Sequence, residues 1–347
     1  MGKIRSEAVC VYGAKVINAH VLAMYAEIQG VLEARDIEYI HRMRVASRRL
    51  RSALAIFEDC FSRKEFKGYS RDVRDVTRSL GAARDLDVQL AVLEGVMPGF
   101  ADPKLAPGLR RLQLRLKQQR AEAQKDVITA IKTLQADDTL VNLAKWAVTI
   151  REMSEGVYLF SPALYELAFS GINARLKELQ DHAAYIQDER NVAELHNMRI
   201  SAKRLRYTME AFADLYGANL KPFINQTRKF QDVLGDIHDA DVWVEIIPRF
   251  IQEEAERISV YFGNNRPLKR LLPGLEAFQA NRSEKRKADY QRFLEMWGKA
   301  EEEGLWDELL KLINAPLNLE VALRALQQLE DPQVVKEQGS EDISPED

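Results

Sequence analysis

Apolar residues recur at the three- and four-residue spacing of helices along almost the whole chain, and the alternation typical of strands is almost absent. Glycine and proline cluster at a few points, such as Val96-Met-Pro-Gly, Ala106-Pro-Gly and Leu272-Pro-Gly, where helices are expected to end. Several of the segments between these points are longer than 20 residues. Long helices joined by short turns predict an all-α fold built from antiparallel bundles.

Two sequence blocks occur twice, in the same order. His41-Arg-Met-Arg-Val-Ala-Ser-Arg-Arg-Leu-Arg51 returns 155 residues later as His196-Asn-Met-Arg-Ile-Ser-Ala-Lys-Arg-Leu-Arg206. Leu80-Gly-Ala-Ala-Arg-Asp-Leu-Asp-Val88 returns 154 residues later as Leu234-Gly-Asp-Ile-His-Asp-Ala-Asp-Val242. The repeat predicts a single domain over residues 1–330, made of two homologous halves, about 8–152 and 160–316, related by a pseudo-twofold axis.

The first block of each half forms a helix with one apolar and one cationic face. At about 100° per residue, His41, Arg44, Arg48 and Arg51 share an arc of about 80°, and the apolar side chains lie opposite. His196, Arg199, Lys203 and Arg206 repeat this stripe, and Arg49 and Arg204 flank the two copies. Such a stripe is about 15 Å long, which suits an extended polyanion better than one small phosphate.

Neither stripe contains an acidic residue, although a solvated helix face usually mixes charges of both signs. One explanation is that acids on other helices neutralise the stripes in a structural lattice of ion pairs. The other is an anion site, because arginine can bind phosphate oxygens through two parallel donors. Two matched copies favour the anion site. Arg74 and Arg228, which correspond between the halves, are expected to extend it, while His41 and His196 either donate to phosphate or are structural.

The second block carries two acids in each half: Asp85 and Asp87, then Asp239 and Asp241. Residues two apart on a helix point about 200° apart, so each pair is poorly placed to form one metal site. The glycines of these blocks could break the helix, with Asp85 and Asp239 capping the next turn. We interpret the four acids as supports that hold the arginines of the basic helices, and we expect no metal and no cofactor.

Composition separates the acidic end of the chain from the rest. The net charge is −3, but residues 330–347 hold seven acids and one lysine, which leaves the rest at +3. We expect 331–347 to be a disordered acidic tail, which either solubilises the protein or competes for the basic site.

The remaining features of the sequence concern its compartment. The two cysteines, Cys10 and Cys60, do not have the spacing of metal ligands. Two cysteines are too few for a scaffold held by disulfides, and a reducing compartment is therefore expected. No uninterrupted apolar run has the roughly 18 residues of a membrane span, and no leader is recognisable at the N-terminus. A cytoplasmic protein without a membrane partner is therefore expected.

The two blocks resemble the signatures of the CHAD family, the histidine-containing α-helical domain. His41-x-x-Arg44 and His196-x-x-Arg199 begin the first signature, and Leu-Gly-x-x-x-Asp-x-Asp matches the second. The resemblance implies two antiparallel four-helix bundles around a basic central cavity that binds inorganic polyphosphate. It also implies that the stripe residues bind the polymer and that the protein can associate with polyphosphate granules.

The expected function is therefore non-enzymatic binding of polyphosphate. The alternatives are a metal-assisted polyphosphate or triphosphate hydrolase, a nucleic-acid-binding protein, and a scaffold whose basic groove takes an acidic protein. The sequence has no phosphate-binding glycine loop and no well-spaced carboxylate cluster for phosphoryl transfer. Aromatic residues do not alternate with the basic stripe as they do in platforms that stack bases, which makes nucleic acid unlikely.

Overall fold

The computed structural model describes residues 6–153 and 161–317, and over these ranges the protein is helical without strands. The expected tail, 331–347, lies outside the described residues. The first half forms α1 (Glu7–Leu32), α2 (Ile37–Ile56), α3 (Arg63–Val96), α4 (Ala106–Ala136) and α5 (Thr139–Glu152). The second half forms α6 (Pro162–Gln180), α7 (Val192–Ala211), the short α8 (Ala213–Tyr216), α9 (Lys221–Phe262), α10 (Leu272–Glu302) and α11 (Leu305–Asn314).

The helices of the two halves pack in the same order. In the first half α1 packs on α2, α2 on α3 and α3 on α4, while α5 returns to α1. In the second half α6 packs on α7, α7 on α9 and α9 on α10, while α11 returns to α6. Each half is thus four long helices followed by a shorter fifth, and the all-α prediction is confirmed.

The apolar faces of the two basic helices meet in a core that both halves share. Leu50 and Leu205, equivalent in the repeat, are fully buried in it. Phe57 and Phe212, also equivalent, touch edge to face with ring centroids 5.9 Å apart, and such aromatic pairs add to the stability that burial alone provides. The hydroxyl of Tyr12 donates to the carbonyl of Ala211 at 3.0 Å and ties α1 to α7. These contacts fix α2 beside α7.

A second, smaller core joins the halves near the beginnings of α4 and α10. Leu109 and Leu112 of α4 pack there with Trp243 of α9 and with Leu275 and Phe278 of α10. The Pro-Gly pairs at 107–108 and 273–274 therefore begin helices rather than end them, because proline fits the first turn of a helix, whose amide groups have no partner.

The backbones of α4 and α10 come unusually close at two glycines. A Cβ added to Gly108 would lie 2.1 Å from the carbonyl oxygen of Leu271, and one added to Gly274 would lie 2.0 Å from that of Leu105. Each glycine thus makes room for a carbonyl of the other half, and no larger residue fits without moving the backbone. The two contacts are reciprocal.

The cysteines are joined, so the expectation of reduced thiols was wrong. Cys10 in α1 and Cys60 in the turn after α2 form a disulfide, with their Cα atoms 5.4 Å apart. The sequence could not reveal this pairing, because 50 residues separate the cysteines and only the packing of α1 on α2 brings them together.

In the part of the chain that the structure describes, one helix has the length and composition of a membrane span, namely α1. This is weak evidence, since a core helix of a soluble protein passes the same test. Ile17, Val21 and Met24 of α1 are buried against other helices of the protein.

Candidate functional site: a cationic cleft between two helices

Arg48 of α2 and Lys203 of α7 lie close together where the two basic helices face each other. Tyr207 lies between their stripes, with the guanidinium carbon of Arg48 5.7 Å from its ring centre and that of Arg206 4.6 Å away. Arg44 and Arg199 are close enough to both Arg48 and Lys203 to repel them. The structure therefore places Arg44 and Arg48 of the first stripe beside Arg199 and Lys203 of the second, and we call the space between them the cleft.

The centre of this cleft has cations without carboxylate partners. Among the described residues, no ion pair involves Arg48, Arg51, Arg199 or Lys203. The buried Nε of Arg199 also has no hydrogen-bond partner there. A buried donor without an acceptor is costly to the fold.

Burial, with crowding as a smaller cause, lowers the pKa of two of these cations. Burial, followed by repulsion from Arg48 and Arg199, lowers the pKa of Lys203 to about 7. Burial likewise lowers the pKa of Arg48 to about 10. Arg48 therefore stays charged at neutral pH, while Lys203 is near its titration point.

Asp85 and Asp239, the first acid of each pair singled out in the sequence, lie beside this cleft. Arg44 contacts Asp85 at 3.4 Å, a long ion pair in which the carboxylate is two-thirds exposed. Burial raises the pKa of Asp239 to about 6, against the opposing attraction of Arg199. These two acids therefore offset the cationic charge of the cleft only partly.

The helices that carry these acids are not interrupted. α3 and α9 run unbroken through Gly81 and Gly235, so the predicted break and the capping by Asp85 and Asp239 were wrong. A glycine costs a helix about 1 kcal/mol, and packing against neighbouring helices outweighs that cost. The Nε atoms of Arg44 and Arg199 lie 3.8 and 3.6 Å from the Cβ positions that these glycines leave empty.

Asp87 and Asp241 point away from the cleft. Asp87 accepts from the Nε of Arg120 at 2.6 Å and Asp241 from that of Arg286 at 2.5 Å. Both arginines belong to the outer helices, α4 and α10, so the prediction that these two acids hold the basic helices was wrong. The reason is the 200° turn between residues two apart, which sends the second acid of each pair to the opposite side of the helix.

Glu210 of α7 pairs with three of the predicted arginines, one in the first half and two in the second. Its carboxylate lies 2.9 Å from Arg49, 2.6 Å from Arg206 and 3.9 Å from Arg228. The first of these pairs joins α7 to α2. For these three arginines the lattice of ion pairs, one of the two explanations of the stripes, is what the structure shows.

The other two predicted arginines are also paired. Arg204 lies 3.7 Å from Glu178, and Arg74 lies 3.4 Å from its neighbour Asp75. Both are about half exposed, and exposed ion pairs contribute little to stability. Their charges therefore stay available to a ligand at modest cost.

The two stripe histidines have different surroundings. Burial, followed by repulsion from Arg84, lowers the pKa of His41, against the opposing attraction of Glu38. His196 faces His238, with the two Nδ1 atoms 3.1 Å apart. Burial, followed by Arg199, lowers the pKa of His238 to about 4. His238 is therefore neutral at physiological pH and adds no charge to the cleft. It shares one hydrogen bond with His196, in which one Nδ1 donates and the other accepts.

Two cavities adjoin the cleft on either side of Tyr207, which lines both. We call them the Arg51 cavity, of about 640 Å³, and the Glu210 cavity, of about 450 Å³. The charged residues that line the Arg51 cavity are Arg48, Arg51, Arg175, Lys203 and Arg204. The charged or titratable residues that line the Glu210 cavity are His20, Arg49, Tyr207, Glu210, Lys221 and Arg228.

Sequence reasoning missed Glu210, Arg175 and His20. Glu210 had a readable signal, because it stands four residues after Arg206, the spacing of a helical ion pair. Over residues 6–153 and 161–317, no three His, Cys, Asp or Glu side chains converge as a metal site.

The model of the CHAD domain matches residues 15–248 of the chain. Two curated proteins of Mycobacterium tuberculosis, from two strains and both described as uncharacterized, are 28% identical over 228 residues, which is 61% of this chain. The match spans 40% of the length of these relatives.

Two solved structures share the fold. The crystal structure of the CHAD domain from the plant Ricinus communis superposes with a TM-score of 0.59 at 23% identity, over 82% of this chain and 91% of that one. PptA from Streptomyces chartreusis superposes with a TM-score of 0.58 at 15% identity, over 83% and 98%. At these identities the likeness shows the fold alone.

Proposed function

Because this chain belongs to the CHAD family, a family associated with polyphosphate binding, we propose that it binds inorganic polyphosphate in the cleft between α2 and α7. The observation that supports this most is the group of cations without carboxylate partners among the described residues, Arg48, Arg51, Arg199 and Lys203. Folding holds these like charges together although they repel one another. A ligand with many negative charges removes that cost.

Polyphosphate fits the chemistry of these groups. Each phosphate unit offers oxygens that a guanidinium can bind through two parallel donors, and the lysine adds a compact positive charge. A chain of such units can follow the stripe of one helix and meet the stripe of the other. Monophosphate would satisfy only part of the cleft.

The proposed role is binding without turnover. Hydrolysis of a phosphoanhydride requires groups that position the attacking water and stabilise the charge of the transition state. The residues gathered in the cleft are cations that bind a polyanion along its length. Under this proposal polyphosphate, free or in granules, is the partner, and no cofactor takes part.

The test is a competition titration. Labelled long-chain polyphosphate is bound at near-physiological salt and challenged with triphosphate, single-stranded RNA and heparin. We expect tight binding that RNA displaces poorly and that falls steeply with salt, because bound cations release counterions. Equal affinity for RNA would favour a nucleic-acid protein, and release of phosphate by the pure protein would favour the hydrolase.

A double charge reversal locates the site. Arg48→Glu with Lys203→Glu should weaken binding at least about a hundredfold, since each hydrogen bond to a charged group contributes about 1.5–3 kcal/mol. Lys132→Glu with Lys269→Glu is the matched control, because it changes the net charge equally at two exposed residues that line neither cavity. Equal losses in the two variants would show attraction by bulk charge and would contradict the proposed site.

A further inference from the structure

The Arg51 cavity and the Glu210 cavity occupy equivalent places in the two halves. A shift of 155 residues, the offset of the basic repeat, takes Ser52 to Tyr207, Ala55 to Glu210 and Ile56 to Ala211. The first residue of each pair lines the Arg51 cavity and the second lines the Glu210 cavity. The same shift takes His20, in the Glu210 cavity, to Arg175, in the Arg51 cavity.

The two cavities differ in charge. Five cationic side chains and no acid line the Arg51 cavity. Three basic side chains, Arg49, Lys221 and Arg228, line the Glu210 cavity together with the carboxylate of Glu210. His20 adds no charge there at neutral pH, because burial and then Arg49 lower its pKa to about 4. The symmetry of the sequence is therefore broken in electrostatic terms.

Glu210 is responsible for much of this difference. It holds Arg206 at 2.6 Å and Arg49 at 2.9 Å, and the larger ring of Tyr207 stands where the first half has Ser52. In the first half, Ala55 leaves the equivalent Arg51 exposed and without a carboxylate partner among the described residues. Glu178 forms ion pairs with Arg175 and Arg204, which line the Arg51 cavity. Glu178 itself does not line that cavity.

We infer that polyphosphate enters the cleft from the side of the Arg51 cavity, and that Glu210 is the specificity-determining residue that keeps the polymer out of the Glu210 cavity. This inference rests on the proposed function. A polyanion that approached the Glu210 cavity would meet a carboxylate and arginines already engaged by it. On the other side it meets Arg48, Arg51 and Lys203, which have no carboxylate partner among the described residues. Arg175 and Arg204 also line that side, and their partner Glu178 does not.

The first experiment places the carboxylate of the second half in the first. Ala55→Glu puts an acid four residues after Arg51, as Glu210 stands after Arg206, and Ala55→Gln is the uncharged control. We expect Ala55→Glu to bind long-chain polyphosphate about tenfold more weakly and to lower the slope of log Kd against log salt by about one, the effect of one lost cation. Ala55→Gln should bind like the wild type. Ala55 is exposed, so both variants should keep the thermal unfolding midpoint of the wild type.

The second experiment removes the acid from the closed side. Glu210→Gln keeps a hydrogen-bond acceptor for Arg206 and frees the charges of Arg49, Arg206 and Arg228. We expect tighter binding of long-chain polyphosphate and a salt slope steeper by about one. In that background Arg228→Ala should weaken binding, whereas in the wild-type protein it should have little effect.

The outcomes separate this inference from the proposed function. If Ala55→Glu binds like Ala55→Gln while the reversal of Arg48 and Lys203 abolishes binding, the inference is wrong and the proposed function stands. If the wild-type protein does not bind polyphosphate, both are wrong. If Glu210→Gln lowers the unfolding midpoint, its binding no longer reports on charge alone, and the comparison of Ala55→Glu with Ala55→Gln decides whether the inference holds.

Discussion

Lys203 is a cation whose charge depends on pH near neutrality. Its pKa of about 7 means that it is protonated below that pH and loses its charge above it. Asp239, with a pKa of about 6, gains a negative charge as the pH passes 6. Both changes make the cleft less positive as the pH rises.

We expect the loss of positive charge from the cleft to weaken binding by about 1.4 kcal/mol, which corresponds to a factor of ten. The affinity for polyphosphate should therefore fall by about tenfold between pH 6 and pH 8. Titration of labelled polyphosphate at constant ionic strength measures this. Lys203→Arg should remove most of the dependence, because arginine stays charged throughout. A pH dependence that is unchanged in Lys203→Arg would contradict the assignment to Lys203.

Sequence reasoning at the scale of single residues succeeded for the stripes and failed for their partners. The spacing of His41, Arg44, Arg48 and Arg51 determines a face of a helix, and a face can be read from a sequence. The partner of an acid cannot be read in that way. Asp87 and Asp241 were predicted to support the basic helices, but their ion-pair partners are Arg120 and Arg286 of the outer helices. Glu210 was missed, because its ion pair with Arg49 depends on α7 lying beside α2.

The helices themselves were predictable, apart from their ends. The apolar periodicity of the chain predicted long helices, and the structure has α3 and α9 at 34 and 42 residues. A bend or break at Gly81 and Gly235 was one expectation, because a local signal does not show that a neighbouring arginine lies against the space that the glycine leaves. Proline and glycine at the start of α4 and α10 were predicted to end helices, because the same residues are common at both ends of a helix.

The disulfide ties α1 to the turn after α2, and its loss should destabilise the protein. Closing a loop of this length removes disorder from the unfolded chain and typically stabilises a protein by about 2–4 kcal/mol. We expect Cys10→Ser with Cys60→Ser to lower the free energy of unfolding by that amount, measured with urea in the absence of reductant.

Two measurements check this interpretation of the cysteines. With a reducing agent present, the wild type and the double variant should unfold at closer urea concentrations. Thiol titration of the wild-type protein, unfolded without reductant, should find no free thiol. Two free thiols and equal stabilities would show that the bridge does not form in solution.

At the scale of the whole molecule, two of the places where the described parts of the halves meet stand out. One is the shared core around Phe57 and Phe212, beside the cleft. The other is the reciprocal contact of Gly108 and Gly274 with the backbone of the opposite half. The first place fixes α2 beside α7, and the second joins the outer helices α4 and α10.

Gly108→Ala should therefore destabilise the protein by roughly 2 kcal/mol, as expected when a methyl group is forced into a packed site. Gly274→Ala should do the same, and thermal or urea unfolding measures both. Gly68→Ala is the control, because a Cβ at that helical position meets nothing within 4 Å. It should leave stability unchanged or raise it by up to about 1 kcal/mol. A Gly108→Ala variant as stable as Gly68→Ala would show that the close approach does not exist.

Each of the two glycines approaches a main-chain carbonyl of the other half, that of Leu271 for Gly108 and that of Leu105 for Gly274. Substitutions at other positions can therefore change the character of each half without disturbing how the halves are joined there. The first half has Ser52 and Ala55 where the second half has Tyr207 and Glu210, and these are differences of this kind. A fold joined in this way can keep a symmetric frame while its two sides take on separate tasks.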